Sequence, residues 1–420
     1  MITQIDLSGV AQYVSEQQLA QAVQAAHSKL APVLAGQFAE ANQLGWMDPA
    51  RWQGHAEVEY IMQLAAEIRS NADVFVLIGV GGSNRGAQSV IETLGDGKVE
   101  IVYAGTNLSS HELKKILACL QGKRVYINNI AKDFNTLEPG IHFRFLRQYM
   151  EAAYGAGAAA RIIVTGSAGT GQLQQLAQQA GYRFLPFPAD MAGRFSVLSA
   201  VGFLPMAVAG VDIRRIIAGA AAAKAELLAA APQDNPAVRY AVCRNLLFEK
   251  GFVIENLATL EPGLAYFARW WSQLFAESEG KNQSCIFPVF SSYSEDLHAV
   301  GQYIQDGKRM VLESFLDARF VNGETRVAAS QHADGFDYLN GKPFDELNDA
   351  VYRAAFSAHS AGGVPCLQFR CGQITPELFG ELFYFFMLSC CLSAALIGAN
   401  PFGQNGVEAY KRSMYRLLGK

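Results

Sequence analysis

Two kinds of stretch in this 420-residue chain could carry chemistry. The first is glycine-rich: Gly79-Val-Gly-Gly-Ser-Asn-Arg-Gly86 follows an apolar run at 74–80 and leads into a helical pattern. Such a loop offers free backbone N–H groups at a helix N-terminus, a setting that suits an anion. It is a poor dinucleotide loop, because the glycine spacing is wrong and the next predicted strand ends in Tyr103-Ala-Gly-Thr106 without an acid for a ribose. Nor is it a nucleotide P-loop, since no Gly-Lys-Ser/Thr follows. Taken alone it fits a sharp turn or a phosphate cradle equally well. A second glycine cluster, Thr165-Gly-Ser-Ala-Gly-Thr-Gly171, is read as a strand-to-helix turn. The other kind is acidic: Ala276-Glu-Ser-Glu-Gly-Lys281 sets two carboxylates two residues apart. At that spacing they do not share a helix face, so they form no obvious acid/base dyad, and by themselves they fit a solvated loop.

The elements that must position these residues follow from hydrophobic period. The first 70 residues alternate polar and apolar positions at helical spacing, as at 18–34 and 56–68. Short β-branched runs at 74–80, 99–104, 124–130, 161–165 and 183–187 then alternate with helical stretches, which predicts a parallel sheet covered by helices on both faces. The chain turns strongly helical at 196–228 and 236–250 before new strands at 286–290, 309–315 and 365–369. The expected fold class is therefore α/β, with two three-layer αβα sandwich domains. The expected boundaries are an N-terminal helical segment over 1–70, a first domain over 71–192, a second over 193–405 and a C-terminal helix over 406–420.

Composition narrows the partners. A formal charge of −4 with 17% charged residues gives no basic footprint for nucleic acid or anionic lipid. Residues 382–399 carry no charge and approach the length of a membrane span. Thr375 as cap, Pro376 in the first turn and Glu377 beside it begin that segment as core helices begin, and a buried helix is expected there. The N-terminus has no basic region followed by an apolar one, so no secretory signal is expected. The seven cysteines are odd in number, scattered and without a Cys-x-x-Cys pair, which predicts reduced thiols, no zinc site and a cytoplasmic setting.

Several segments together resemble the glucose-6-phosphate isomerase family. They are Gly79–Gly86, Gly193-Arg-Phe-Ser196, Glu277-Ser-Glu-Gly-Lys281, Asp296-Leu-His298, Gly301-Gln-Tyr-Ile-Gln-Asp-Gly307 and Phe402-Gly-Gln-Asn-Gly-Val-Glu-Ala-Tyr-Lys411, spread in order over about residues 70–418. The resemblance implies a sugar-isomerase fold and reversible conversion of glucose 6-phosphate to fructose 6-phosphate without cofactor or metal. It implies Glu277 as the base moving a proton between C1 and C2, Arg194 steadying the enediolate, and His298 and Lys411 assisting ring opening. Gln404 would contact substrate, with Gly82, Ser83, Lys132 and Thr136 around the phosphate side and Glu138 where the family places a carboxylate partner for the ring-opening histidine. It also implies a homodimer in which His298 serves the partner's site. Those residue types suit the chemistry, since a carboxylate can take and return one proton, an arginine stays charged beside an oxyanion, and a histidine titrates near working pH.

One segment departs from the family. A hydroxyl-rich phosphate loop is replaced by Ala131-Lys-Asp-Phe-Asn-Thr-Leu-Glu138, losing two hydroxyls and setting Asp133 where a phosphate would approach. Arg85, at a usually apolar position, could neutralise Asp133 or grip the phosphate itself. The altered loop leaves two other readings open, an isomerase of a different sugar phosphate and a non-catalytic sugar-phosphate sensor. Retention of the whole proton-transfer set argues against the sensor.

Overall fold

Ser15 shows why the first helix starts where it does. Its side chain accepts from the Gln18 amide while its own N–H donates to the Gln18 side chain at 2.9 Å, a capping box that satisfies two otherwise orphaned donors. In the computed structural model, which describes residues 4–37, 43–132, 134–169, 171–320 and 325–419, this helix is α1 (Glu16–Ala25), followed by α2 (His27–Leu34) and α3 (Ala56–Asn71). Ahead of them lies a short strand, β1 (Gln4–Asp6), so the first 70 residues are not helical throughout. Three residues are too few to impose a period-two pattern that a sequence reading could detect.

The first sheet holds β2 (Val74–Ile78), β3 (Glu100–Ala104), β4 (Val125–Ala131), β5 (Ile162–Ser167) and β6 (Arg183–Phe187), all parallel, in the order β3-β2-β4-β5-β6. Helices α4 (Arg85–Leu94), α5 (Ser110–Cys119), α6 (Leu137–Tyr154) and α7 (Gln172–Ala180) make the crossovers. Every residue of β2 and β4 is buried, as strands covered on both faces require. From β2 the chain moves first to β3 on one side and then to β4 on the other. The crevice opened at such a switch point, beyond the carboxyl ends of the strands, is where open α/β sheets take ligands. The Gly79–Gly86 loop leaves β2, and Ala131 and Lys132 stand at the carboxyl end of β4, so both border that crevice.

The second half runs through α8 (Ala200–Val208), α9 (Ile213–Ala229), α10 (Pro236–Glu249), β7 (Ile254–Thr259), α11 (Ala265–Glu279), β8 (Phe287–Ser292), α12 (Val300–Asp306), β9 (Val311–Arg319), α13 (Phe344–Ala361), β10 (Cys366–Gln373), α14 (Pro376–Leu396) and α15 (Glu408–Leu417). Its sheet is ordered β1-β10-β9-β7-β8, with β1 the antiparallel edge and the rest parallel. Strand β7 escapes a pattern search because Glu255, Asn256 and Thr259 interrupt its apolar run, yet all three are fully buried. One large apolar core, drawing on α3, α8, α9, α10, α11 and α14, lies between the sheets and runs through the segment around Gly193. Smaller clusters back the outer face of each sheet.

Helix α14, the apolar stretch long enough to span a bilayer, is buried within that core along nearly its whole length. Its Thr375 cap accepts from the Leu378 amide at 3.2 Å. It packs on α9 with backbones nearly touching: a Cβ on Gly380 would stand 1.9 Å from the Ile216 carbonyl oxygen, and one on Gly219 would stand 2.0 Å from that of Glu377. Because both obstacles are backbone atoms, the helices themselves would have to separate. Gly380→Ala is therefore expected to destabilise the fold by about 1–3 kcal/mol, read as a lower denaturant midpoint at unchanged slope; an unchanged midpoint would show that the packing is looser than described.

Candidate active site

The polar face of α11 carries the site. Gln273 and Glu277 stand one turn apart, and Gln273 Nε2 donates to Glu277 Oε1 at 2.7 Å. The other carboxylate oxygen, Oε2, accepts from Arg194 Nη1 at 3.1 Å and from Gln404 Nε2. Glu277 is thus held by three donors from three separate segments while its side chain remains 28% exposed, against 2% for Arg194. A carboxylate fixed in direction yet open to a ligand is what proton transfer to and from carbon demands.

Arg194 sits in a 3-10 turn at Gly193–Phe195 and spreads its fork over two elements. Nε donates to Ser278 Oγ at 2.8 Å, and Nη2 donates to the carbonyls of Pro401 and, at 3.4 Å, Gly403. Burial pulls the guanidinium below its ordinary value and the Glu277 carboxylate pushes it back up; it stays protonated at any physiological pH. The first glycine loop closes against this turn. A Cβ on Gly82 would lie 2.2 Å from the Gly193 carbonyl oxygen, and one on Gly81 would lie 2.8 Å from Gln273 Nε2. The glycines therefore let one backbone lie directly on another, in addition to freeing N–H groups. Asn84 ties the loop across its base by donating to the Gly79 carbonyl at 3.0 Å.

The remaining sequence-derived candidates divide. Ser83 and the half-buried Arg85 stand at the loop's end and the start of α4. Burial and neighbouring Arg269 lower the Arg85 guanidinium while Glu277 raises it, so Arg85 lies within electrostatic reach of the carboxylate. Lys132 Nζ donates to the Met191 carbonyl at 2.8 Å, binding the end of β4 to the segment that approaches the Arg194 turn. Asp133 falls outside the described residues. In the second glycine cluster, Ser167 ends β5 and its Oγ donates to the Lys132 carbonyl at 2.7 Å, while Gly171 precedes α7. Thr136 is exposed at the start of α6, with Glu138 in the first turn.

Two candidates do not join Glu277. Lys411 lies on α15, where its Nζ pairs with Glu408 at 3.0 Å on the surface. His298 is exposed in a 3-10 turn after the carboxyl end of β8, whereas Glu277 lies in the last turn of the helix that leads into the opposite end of that strand. Six residues of strand separate those ends by roughly 20 Å. Among the described residues neither His298 nor Glu138 has a side-chain hydrogen-bond or ion-pair partner within the chain.

Comparison with known proteins gives the family. Residues 65–418 match the family model described as phosphoglucose isomerase. The chain belongs to the phosphoglucose isomerase family. A glucose-6-phosphate isomerase from Symbiobacterium thermophilum is 42% identical over 90% of this chain and 87% of its own length. One from Staphylococcus saprophyticus is 39% identical over 99% and 96%. Among solved structures, a hypothetical protein from Thermus thermophilus superposes with a TM-score of 0.92 at 22% identity, covering 99% of this chain and all of its own. A Chlamydia trachomatis glucose-6-phosphate isomerase gives 0.74 at 18% identity over 98% and 85%. These two likenesses establish the parallel-sheet α/β fold.

Within the family frame, sequence reasoning missed Gln273, Ser278 and the 401–403 carbonyls. Gln273 was open to discovery, because it stands four residues before Glu277 on one helix face. Ser278 and the carbonyls were not, since only the folded chain shows where a guanidinium reaches. Gly82→Ala is expected to force the loop off the Arg194 turn and lower kcat by about tenfold or more, measured with melting temperature as a control. Full activity in a folded Gly82→Ala would mean that the backbone contact does not set the geometry.

Proposed function

We propose that this cleft interconverts glucose 6-phosphate and fructose 6-phosphate, with Glu277 carrying the proton between C1 and C2. The carrying observation is the Glu277 carboxylate, held by Gln273, Arg194 and Gln404 and left partly open beside the first glycine loop. Once the ring is open, Glu277 takes the proton from C2 of the aldose, and the electrons pass into a C1–C2 enediolate. Arg194, already charged and held in place, stabilises the oxyanion as it forms without having to reorganise. Passing the hydroxyl proton from O2 to O1 and returning the carbon-bound proton to C1 gives the ketose. Gln404 orients the carboxylate or the adjacent hydroxyl.

The phosphate is assigned to the Gly79–Gly86 loop, where Gly82 would offer its backbone N–H, Ser83 its hydroxyl and Arg85 a cation, with Lys132, Thr136 and Glu138 bordering the same crevice. Ring opening is assigned to His298 and Lys411. The separation of His298 from Glu277 across β8 supports a homodimer in which His298 enters the partner's site and meets Glu138 there. The seven free cysteines support a reducing, cytoplasmic setting.

The test is a coupled assay with fructose 6-phosphate. Glu277→Gln preserves shape and removes the base, and turnover is expected to fall by roughly 10²–10⁴-fold. Turnover close to the parent's would remove Glu277 from this role. Arg85→Ala should instead raise KM by about tenfold, the loss of one charge-assisted bond, with kcat little changed. An unchanged KM would exclude Arg85 from the phosphate site.

A further inference from the structure

Glu279 ends α11 two residues beyond Glu277, on the opposite side of the helix, and takes no part in the chemistry above. It is 2% exposed and receives Arg244 Nη1 at 2.9 Å and Nη2 at 3.2 Å. The same guanidinium, itself 1% exposed, donates from Nε to Glu255 Oε2 on β7 at 2.5 Å and from Nη1 to Ser393 Oγ on α14 at 2.7 Å. Glu255 has no exposed surface, and its Oε1 accepts Tyr240 OH from α10 at 2.7 Å and Ser314 Oγ from β9 at 2.5 Å. One arginine therefore fastens the last residue of α11 to two strands and two other helices. On the other flank Arg194 grips Ser278 and Glu277. Three consecutive side chains at the helix end are held from opposite sides by two arginines.

An apolar interior would fix the axis of α11 through Phe267, Trp270 and Phe275. Apolar contacts are nondirectional, however, and leave the rotation of the last turn weakly defined. Bidentate guanidinium–carboxylate bonds are directional. A rotation of α11 about its axis carries Glu277 away from one carbon of the substrate, and misplacement of about 1 Å can cost 100-fold in rate.

We propose that Glu279, through Arg244 and Glu255, is a positioning residue that sets the rotation of the α11 end so that the Glu277 carboxylate reaches both C1 and C2. The role rests on Glu277 being the base, and the experiment separates the two readings. Glu279→Gln, Ser393→Ala and Glu277→Gln are assayed beside the parent, well below each melting transition, and the isomerisation is repeated in D2O to measure deuterium carried into product. Glu279→Gln is expected to lower kcat by about 10- to 100-fold with KM within about twofold of the parent. It should also raise the deuterium content, because a carboxylate held off its two carbons gives the proton time to exchange with solvent. Ser393→Ala, which removes one Arg244 contact and little volume, should move both readouts the same way by less, and it carries the test should Glu279→Gln not fold. A purely structural role lowers melting temperature alone: parental kcat and deuterium content in folded Glu279→Gln overturn the proposal while an inactive Glu277→Gln leaves the base assignment standing. Turnover surviving in Glu277→Gln overturns both.

Discussion

The guanidinium of Arg194 is where the molecule is joined. It lies in the segment that links the two sheets, and its donors reach the end of α11 and the carbonyls that follow α14. A buried cation with one carboxylate and three neutral acceptors is stable only while all of them stay in place, since removing a partner leaves charge or dipole unsolvated. The glycine loop, the Arg194 turn and the 401–404 segment therefore have little freedom to move independently. The site is a consequence of satisfying that one side chain.

The second sheet uses polar side chains in its interior in a related way. On one face of β7 and β9, Glu255 and Ser314 join the Arg244 cluster; on the other, Asn256 donates to Glu313 at 3.1 Å, and Glu313 also meets His359 Nδ1 at 2.5 Å and the Tyr293 hydroxyl. Adjacent residues on one strand point to opposite faces, so the two clusters are back to back. Buried polar groups that are fully paired are tolerated and add direction that apolar packing lacks.

These same residues explain what could be read from the sequence. The strands of the first sheet were legible because β2 is apolar throughout and β4 is apolar on both sides of Asn128 and Asn129, and α14 because its cap and apolar length are unambiguous. β7 was hidden by Glu255, Asn256 and Thr259, whose partners lie far away in sequence. Glu277 and Arg194 were legible as a pair only through family likeness, since 83 residues separate them. Glu279 looked like an incidental surface acid beside Glu277; only the fold reveals that alternate residues at a helix end can face a cleft and a core. His359, unremarkable in the sequence, proves to be a buried partner of Glu313.

Strand β1 carries a consequence for the order in which the chain can be completed. Its three residues pair with β10, and Arg370 meets Asp6 at 2.6 Å across a separation of 364 positions. During synthesis the early segment has no partner until more than 360 further residues have emerged, so the outer edge of the second sheet is sealed late. Long-range closure of this kind slows folding. Until it happens, β10 presents unpaired backbone groups along its margin, an invitation to the wrong strand from a neighbouring chain.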